Sequence, residues 1–363
     1  PLNFLIALFP ASMMIEAFET LIVLKICLSG WTAYRYLRRR TGRNDYSTVV
    51  FASFYALGGF SIAYNWNVMW LDSIVLFPII LMGVEKLIND RDGRMYAVSM
   101  GLAIFCNYYM AIMICIFVVL YFFVIWFSRK REGIRQFLRS GIHFVLCSVL
   151  AGGMAAILLI PEVCAIIQTD FGDMDFPKKV ESYFSVLDVL ARHCVCVYTE
   201  RGLDHWPNIY SGSAVLMLVP MYVMNKSLSI REKFCRLALA GFLLLSFSTN
   251  VLDFIWHGMN YPDSLPARQS FCYVFLVLLM CYDAYHHMRE AEEQQILYGY
   301  LSAVIFLLFC QKFVEHEDFD LGVKLLTLVF VTFYAILLYL LRTKKVPEIR
   351  HAVAVVAFAA VLA

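Results

Sequence analysis

Asn65-Trp66-Asn67-Val68-Met69-Trp70-Leu71-Asp72 is a short polar stretch, rich in tryptophan, between two apolar segments at residues 46–64 and 73–89. Each flank is of the length needed to cross a hydrocarbon core of about 30 Å. The stretch holds no Lys or Arg, whereas the links at the far ends of both flanks are basic. Arg35, Arg38, Arg39, Arg40 and Arg43 precede it, and Lys86, Arg91 and Arg94 follow. The positive-inside rule then puts the stretch on the outer face and both links inside. That reading sets the fold class: an all-α polytopic membrane protein.

Composition agrees. Hydrophobic residues make up 61% of the chain and charged residues 16%, with a mean hydropathy of +0.70, where soluble domains carry about a quarter charged. A net charge of +2 gives no case for a nucleic-acid partner. Most of the eleven cysteines fall in apolar segments, where they are expected as small buried hydrophobes. Cys194 and Cys196 form the one close pair outside them and lack the second ligand pair of a structural zinc site.

Outward from the opening stretch, alternation of basic and non-basic links maps the chain. Residues 1–10 are too short to span and are expected to lie at the interface or re-enter. Residues 15–34 run inward, 46–64 outward and 73–89 inward again. The run 95–127 has basic links at both ends. A single helix of that length would measure about 50 Å, too long for one crossing, so an outer turn is expected at Asn107-Tyr108-Tyr109. Residues 141–160 go out and end at Pro161. Residues 162–209 form an outer cap, with Asp170, Asp173, Asp175 and Glu181, and an amphipathic stretch at 183–192. Further spans are expected at 210–224, 237–250, 269–286, 296–313 and 321–341, and a partial one from His351. The sum is about ten to twelve transmembrane or re-entrant helices in a single domain over 1–363. Pro1 at the start and the apolar end at Ala363 suggest a piece of a longer protein.

Three places stand out chemically. Asp72 at the lip of a helix, beside Asn67 and Trp70, suits a general base or a cation ligand. Read structurally, it is an N-cap before Ser73, and the tryptophans are interface anchors. Lys25 falls near the middle of a span, where an ionisable residue costs about 2.5–3.5 kcal/mol. It calls for a cavity or an anionic partner from another helix, unless it snorkels. The loop His257-Gly258-Met259-Asn260-Tyr261-Pro262, followed by Pro266-Ala267-Arg268, has Arg268 as its cation at a helix start, suited to a phosphate or a lipid headgroup. His257 suits acid–base work near neutral pH or a structural hydrogen bond. No P-loop, H-E-x-x-H or complete G-x-S-x-G occurs, which argues against ATPase, zincin and serine-hydrolase chemistry of those types.

N-x-M-W-L-D at 67–72, E-K-L-I at 85–88, Asn107-Tyr108-Tyr109 and H-G-x-N-Y-P…P-x-R-x-S-F from His257 to Phe271 resemble the YfhO-type bacterial membrane proteins. That family is in turn similar to GT-C glycosyltransferases. The resemblance implies a GT-C-like bundle in the bacterial cytoplasmic membrane. It also implies transfer of a sugar from a polyprenyl-phosphate donor to a cell-surface polymer, teichoic-acid-like or another glycan, on the outer face. By it, Asp72 is a candidate base or metal ligand and His257 a second catalytic candidate. Lys25, Asn67, Trp70, Tyr108, Asn260 and Arg268 are candidate substrate contacts, with Arg268 or Lys25 on the donor phosphate. A divalent cation is compatible with this set, and membrane lipids are expected neighbours. GT-C enzymes also carry an acidic residue in the first outer loop, which is expected to precede residue 1. Two other readings stay open: a transporter or flippase of lipid-linked sugars using Lys25 and the break at Asn107, and a scaffold without chemistry.

Overall fold

The computed structural model describes residues 2–129, 133–168, 176–202, 205–262, 264–288, 290, 292, 294–316 and 318–343. Asp170, Asp173 and Asp175 of the expected cap, and the partial span from His351, lie outside them. Among the described residues the regular structure is helical, with one isolated antiparallel bridge between Ser182 and Thr249.

Two 3-10 turns, Leu2–Leu8 and Ala11–Met13, lead into α1, Met14–Thr41. This helix ends where Gly42 takes a left-handed φ of 68°, the conformation that glycine adopts at least cost. Asp45 caps α2, Tyr46–Ala56, its side chain accepting from Thr48 N. Residues 46–64 were expected to be one crossing, but the helix breaks and resumes as α3, Gly59–Tyr64. The cause is local. Gly58 and Gly59 have no side chains, so the Tyr210 backbone comes close enough for Gly59 N to donate to Tyr210 O at 2.6 Å. A backbone group freed inside a membrane bundle has to find such a partner.

The next helix, α4, runs Val68–Asn89 with Pro78 inside it. The expected turn at Asn107 is present: α5 is Arg94–Cys106, α6 is Tyr108–Ser128, and Asn107 Oδ1 caps α6 by accepting from Met110 N at 2.9 Å. The expected stop at Pro161 is not. Helix α7, Ile134–Met154, instead gives way at Ala155 to α8, Ala156–Ile167, with Pro161 inside. Pro161 is the sixth residue of α8, so it removes one helical hydrogen bond without ending the helix, as prolines within membrane helices can.

In the link beyond, α9, Val186–Ala191, is set by a capping box between Ser185 and Asp188. There follow α10, Val215–Met224, α11, Ile230–Ser248, and the short α12, Asn250–Trp256. The chain continues through α13, Ser270–His286, α14, Gln294–Phe313, and α15, Leu321–Arg342.

Among the described residues five helices (α4, α6, α7, α14 and α15) are long and apolar enough to cross a membrane, and α5, α8, α10 and α13 are shorter apolar helices. α1 is longer than any of them but carries Glu16, Glu19 and Lys25.

Burial separates centre from rim. Every residue of α13 except Tyr285 is buried, and 78% of the most apolar part of α4 is inside, against 17% for α7. Helices apolar all round belong at a centre. Phe77 of α4 meets Phe117, Phe271 and Phe275 edge-on, with ring centroids 5.1–5.6 Å apart. α7 turns Ile142, Leu146 and Val149 outward, as lipid contact requires.

Candidate functional site

The two ionisable groups singled out separately in the sequence meet. Lys25 Nζ donates to Asp72 Oδ2 at 2.9 Å, to Val68 O at 2.9 Å and to Asn3 Oδ1. The Lys25 side chain is fully buried and that of Asp72 is 5% exposed. An ammonium has three protons to give, and all three are placed. Asp72 is therefore not an N-cap. It lies in the second turn of α4, whose N-cap position is Asn67, and its carboxylate turns inward to α1. The cation-ligand reading does not fit either, because an ammonium already occupies that carboxylate. To act as a base, Asp72 would have to give up that contact, since Lys25 Nζ holds Oδ2.

A second cluster forms at the opposite end of the bundle from the basic turns. Tyr64 donates to Pro266 O at 2.8 Å and holds the 264–268 loop over α3 and α4. Backbone strain is concentrated here: Gly258, Met259, Leu265 and Ala267 all have positive φ, and non-glycine residues adopt this at a cost. The strained loop delivers Arg268. Its guanidinium lies 5.2 Å from the Trp70 ring and 4.9 Å from the Tyr109 ring. Nε donates to Leu265 O at 3.0 Å and Nη2 to Ser264 O at 2.9 Å. Nη1 makes no hydrogen bond among the described residues, so one edge of a rigid cationic fork stays open.

Tyr109 joins this arginine to His257, ring to ring at 6.4 Å. His257 and Asp253 share one face of α12 at i,i+4. The imidazole Nδ1 is 2.8 Å from Asp253 O and 3.1 Å from Asp253 Oδ1. Both are acceptors, so Nδ1 is the nitrogen that carries a proton toward them. Nε2 is buried without a hydrogen-bond partner among the described residues.

The link between α8 and α10 reaches the same carboxylate. Asn250 clamps the link backbone: its Oδ1 accepts from Glu181 N at 2.9 Å and its Nδ2 donates to Lys179 O at 3.0 Å. Tyr183 N donates to Ser248 O at 2.8 Å, which brings the Tyr183 hydroxyl to 3.3 Å from Asp253 Oδ2. Burial and the neighbouring Asp253 carboxylate push that phenol above its ordinary range, so it remains a donor. His205 stacks on Tyr183 at 4.2 Å with its Nδ1 3.7 Å from Asp253 Oδ2.

Of the sequence candidates, Trp70, His257 and Arg268 come together and Lys25 pairs with Asp72. Three stay apart. The Asn67 side chain makes no hydrogen bond among the described residues, Asn260 Oδ1 accepts from Tyr261 N at 2.9 Å, and Tyr108 lies by Glu162 of α8. It is the next residue, Tyr109, that meets Arg268, because one helical step is a turn of about 100°. Asp253, Tyr183 and His205 were missed. Asp253 was within reach of sequence reasoning, since D-x-x-x-H at 253–257 puts both side chains on one helix face. Among the described residues no three His, Cys, Asp or Glu are grouped as a metal site.

The family model described as bacterial membrane protein YfhO matches residues 1–363. No curated protein and no solved structure matches the chain.

Proposed function

The chain belongs to the YfhO family of bacterial membrane proteins, and from that premise we propose that it is part of a membrane glycosyltransferase. It moves a sugar from a polyprenyl-phosphate donor to a cell-surface polymer, teichoic-acid-like or another glycan. The site faces outward from the bacterial cytoplasmic membrane. The observation that supports this reading best is the Arg268 guanidinium, stacked against Trp70 and Tyr109 with an open edge, next to the Asp253–His257 pair.

In this reading Arg268 receives the donor phosphate, because a planar fork matches phosphate oxygens. An acceptor hydroxyl attacks the anomeric carbon from the face opposite the phosphate. The bond from that carbon to the phosphate oxygen breaks, and its electron pair leaves with the polyprenyl phosphate. The hydroxyl proton passes to His257 Nε2, while Asp253 holds the ring and stabilises its charge. Inversion at the sugar follows from the single displacement. The Lys25–Asp72 pair fixes α1 against α4 beneath Trp70 and takes no proton.

One observation favours a transporter or flippase instead: helices broken at Gly58, Asn107 and Ala155, a feature of transporter cores. The full chain in liposomes, with a labelled undecaprenyl-phosphate sugar and a teichoic-acid-like acceptor, separates the two. Transfer that falls roughly 10- to 100-fold in Arg268→Ala, the worth of a charged hydrogen bond, supports the transferase. Movement of labelled lipid without transfer supports the flippase and sinks the first reading.

A further inference from the structure

The turn between α4 and α5 leaves a cleft against α7, on the side of the basic links. Its volume is about 340 Å³. Residues 91–94 and Ala97 form one wall, and His143, Cys147 and Leu150 of α7 form the other. The walls approach closely because Gly93 has no side chain: a Cβ there would collide with Cys147 Sγ and come within 3.1 Å of His143 Nε2. Arg91 takes a left-handed φ of 56°, which a non-glycine residue adopts at a cost.

The charges of this cleft do not cancel. Asp92 is occupied, since Arg94 donates to it from its backbone N at 3.1 Å, from Nε at 2.9 Å and from Nη2 at 3.1 Å. Asp90, the other carboxylate of the turn, lies 3.3 Å from Arg39. The Arg91 guanidinium, by contrast, makes no hydrogen bond, ion pair or ring contact among the described residues. Two more exposed guanidiniums without such partners stand on α7, at Arg135 and Arg139. With His143 and Cys147 they follow one another at i,i+4, so they form one stripe that leads to the cleft. Arg91, Arg135 and Arg139 are the cations left over.

Beside this stripe runs an apolar one. Ile142, Leu146 and Leu150 follow the same spacing on α7, and all three are exposed. Leu150 also lines the cleft, so the cations and the apolar surface meet there. In a chain that crosses a membrane the apolar stripe meets hydrocarbon, and the basic links lie at the level of the headgroups. An anion from water would use the cations alone. A phospholipid uses both, with its phosphate among the guanidiniums and its chain along the leucines. A metal ion does not suit the cleft, because Asp92 is held by Arg94, and His143 and Cys147 supply only two donors.

We propose that this cleft is an inner-face site for an anionic phospholipid, with Arg91 and Arg139 on the phosphate and Leu146 and Leu150 along an acyl chain. Basic pockets between membrane helices on the cytoplasmic side bind lipid headgroups in this way. The site does not involve Arg268 and does not rest on the sugar-transfer reading.

The test is native mass spectrometry on the full chain in neutral detergent, titrated with phosphatidylglycerol, with zwitterionic phosphatidylcholine and with inorganic phosphate. Wild type is expected to retain phosphatidylglycerol in preference to phosphatidylcholine. Arg91→Gln/Arg139→Gln is expected to bind it roughly tenfold to thirtyfold less tightly, about fivefold for each arginine. Leu146→Ser/Leu150→Ser keeps every charge and should also weaken retention. Lys226→Gln/Arg231→Gln removes two exposed cations near the start of α11 and should bind as wild type. Unchanged binding in the arginine or the leucine variant would overturn the site, as would equal retention of the two lipids or an equal loss in the Lys226/Arg231 variant. Displacement of the lipid by inorganic phosphate would overturn it too, by naming free phosphate as the ligand.

Discussion

Lys25 and Asp72 form a buried ion pair, Nζ to Oδ2 at 2.9 Å, and each accounts for the other's presence among apolar helices. Breaking one side of such a pair costs roughly 3–5 kcal/mol, because the remaining charge is stranded. Lys25→Met and Asp72→Asn should therefore each lower the unfolding midpoint in detergent sharply. Lys25→Met/Asp72→Leu, which removes both charges, should recover most of the loss. Losses that simply add in the double variant would show that the two side chains do not work as a unit.

The Asp253–His257 pair makes a kinetic prediction. Groups acting as one unit are non-additive. Asp253→Asn and His257→Gln should each slow sugar transfer, by about 10²- to 10⁴-fold for loss of acid–base assistance. The double variant should be no slower than the worse single one. Multiplying effects in the turnover assay would assign the two residues separate jobs.

Packing at Gly83 makes a prediction about stability alone. A Cβ there would sit 2.5 Å from Tyr96 N and 2.6 Å from its Cα, so α4 and α5 would have to part. Gly83→Ala should destabilise by about 1–3 kcal/mol. Gly141→Ala on α7, where nothing lies within 4 Å, should be neutral or slightly stabilising. Thermal unfolding of the two variants side by side decides it: equal midpoints would refute the close-approach argument.

Just beyond α9, burial lowers the His193 pKa to about 4, and its Nε2 is 3.1 Å from the Tyr273 hydroxyl. The folded value lies below the unfolded one of about 6.5, so the unfolded chain binds the proton first. Stability is then full above about pH 6.5 and is lost as pH falls toward 4, by up to roughly 3 kcal/mol. Hydrogen exchange of residues 186–198 should speed up over that window. His193→Gln should flatten the response, and an unchanged pH dependence in that variant would place the titration elsewhere.

Much of the architecture was legible beforehand. The run at 95–127 breaks at Asn107, as link charges and the length of the run require. The break at Gly58 was not read, because nothing local demands it: the helix opens there to admit the Tyr210 backbone, which is distant in sequence. Pro161 misled for the opposite reason. A proline biases the chain toward a helix end without fixing one, and α8 runs through Pro161, as membrane helices can.

The candidate site was legible in part. Arg268 and His257 stood out as polar residues on a short outer loop, and both fall in the cluster. Tyr109 was passed over for its neighbour, since which of two adjacent aromatics faces the bundle depends on helix rotation.

The sequence by itself determined that the chain is all-helical, crosses a membrane repeatedly and gathers most of the cations of its short links on one side. Apolar length and charge along the chain are local properties that the bilayer reads directly. Only the tertiary structure decided which charges neutralise one another: Lys25 with Asp72 across 47 positions, and Arg40 with Asp283 across 243. Those pairings depend on how each helix is rotated and tilted against its neighbours. That orientation is set by side-chain packing over the whole bundle, at contacts such as Gly83 on Tyr96 and Phe77 among its three rings.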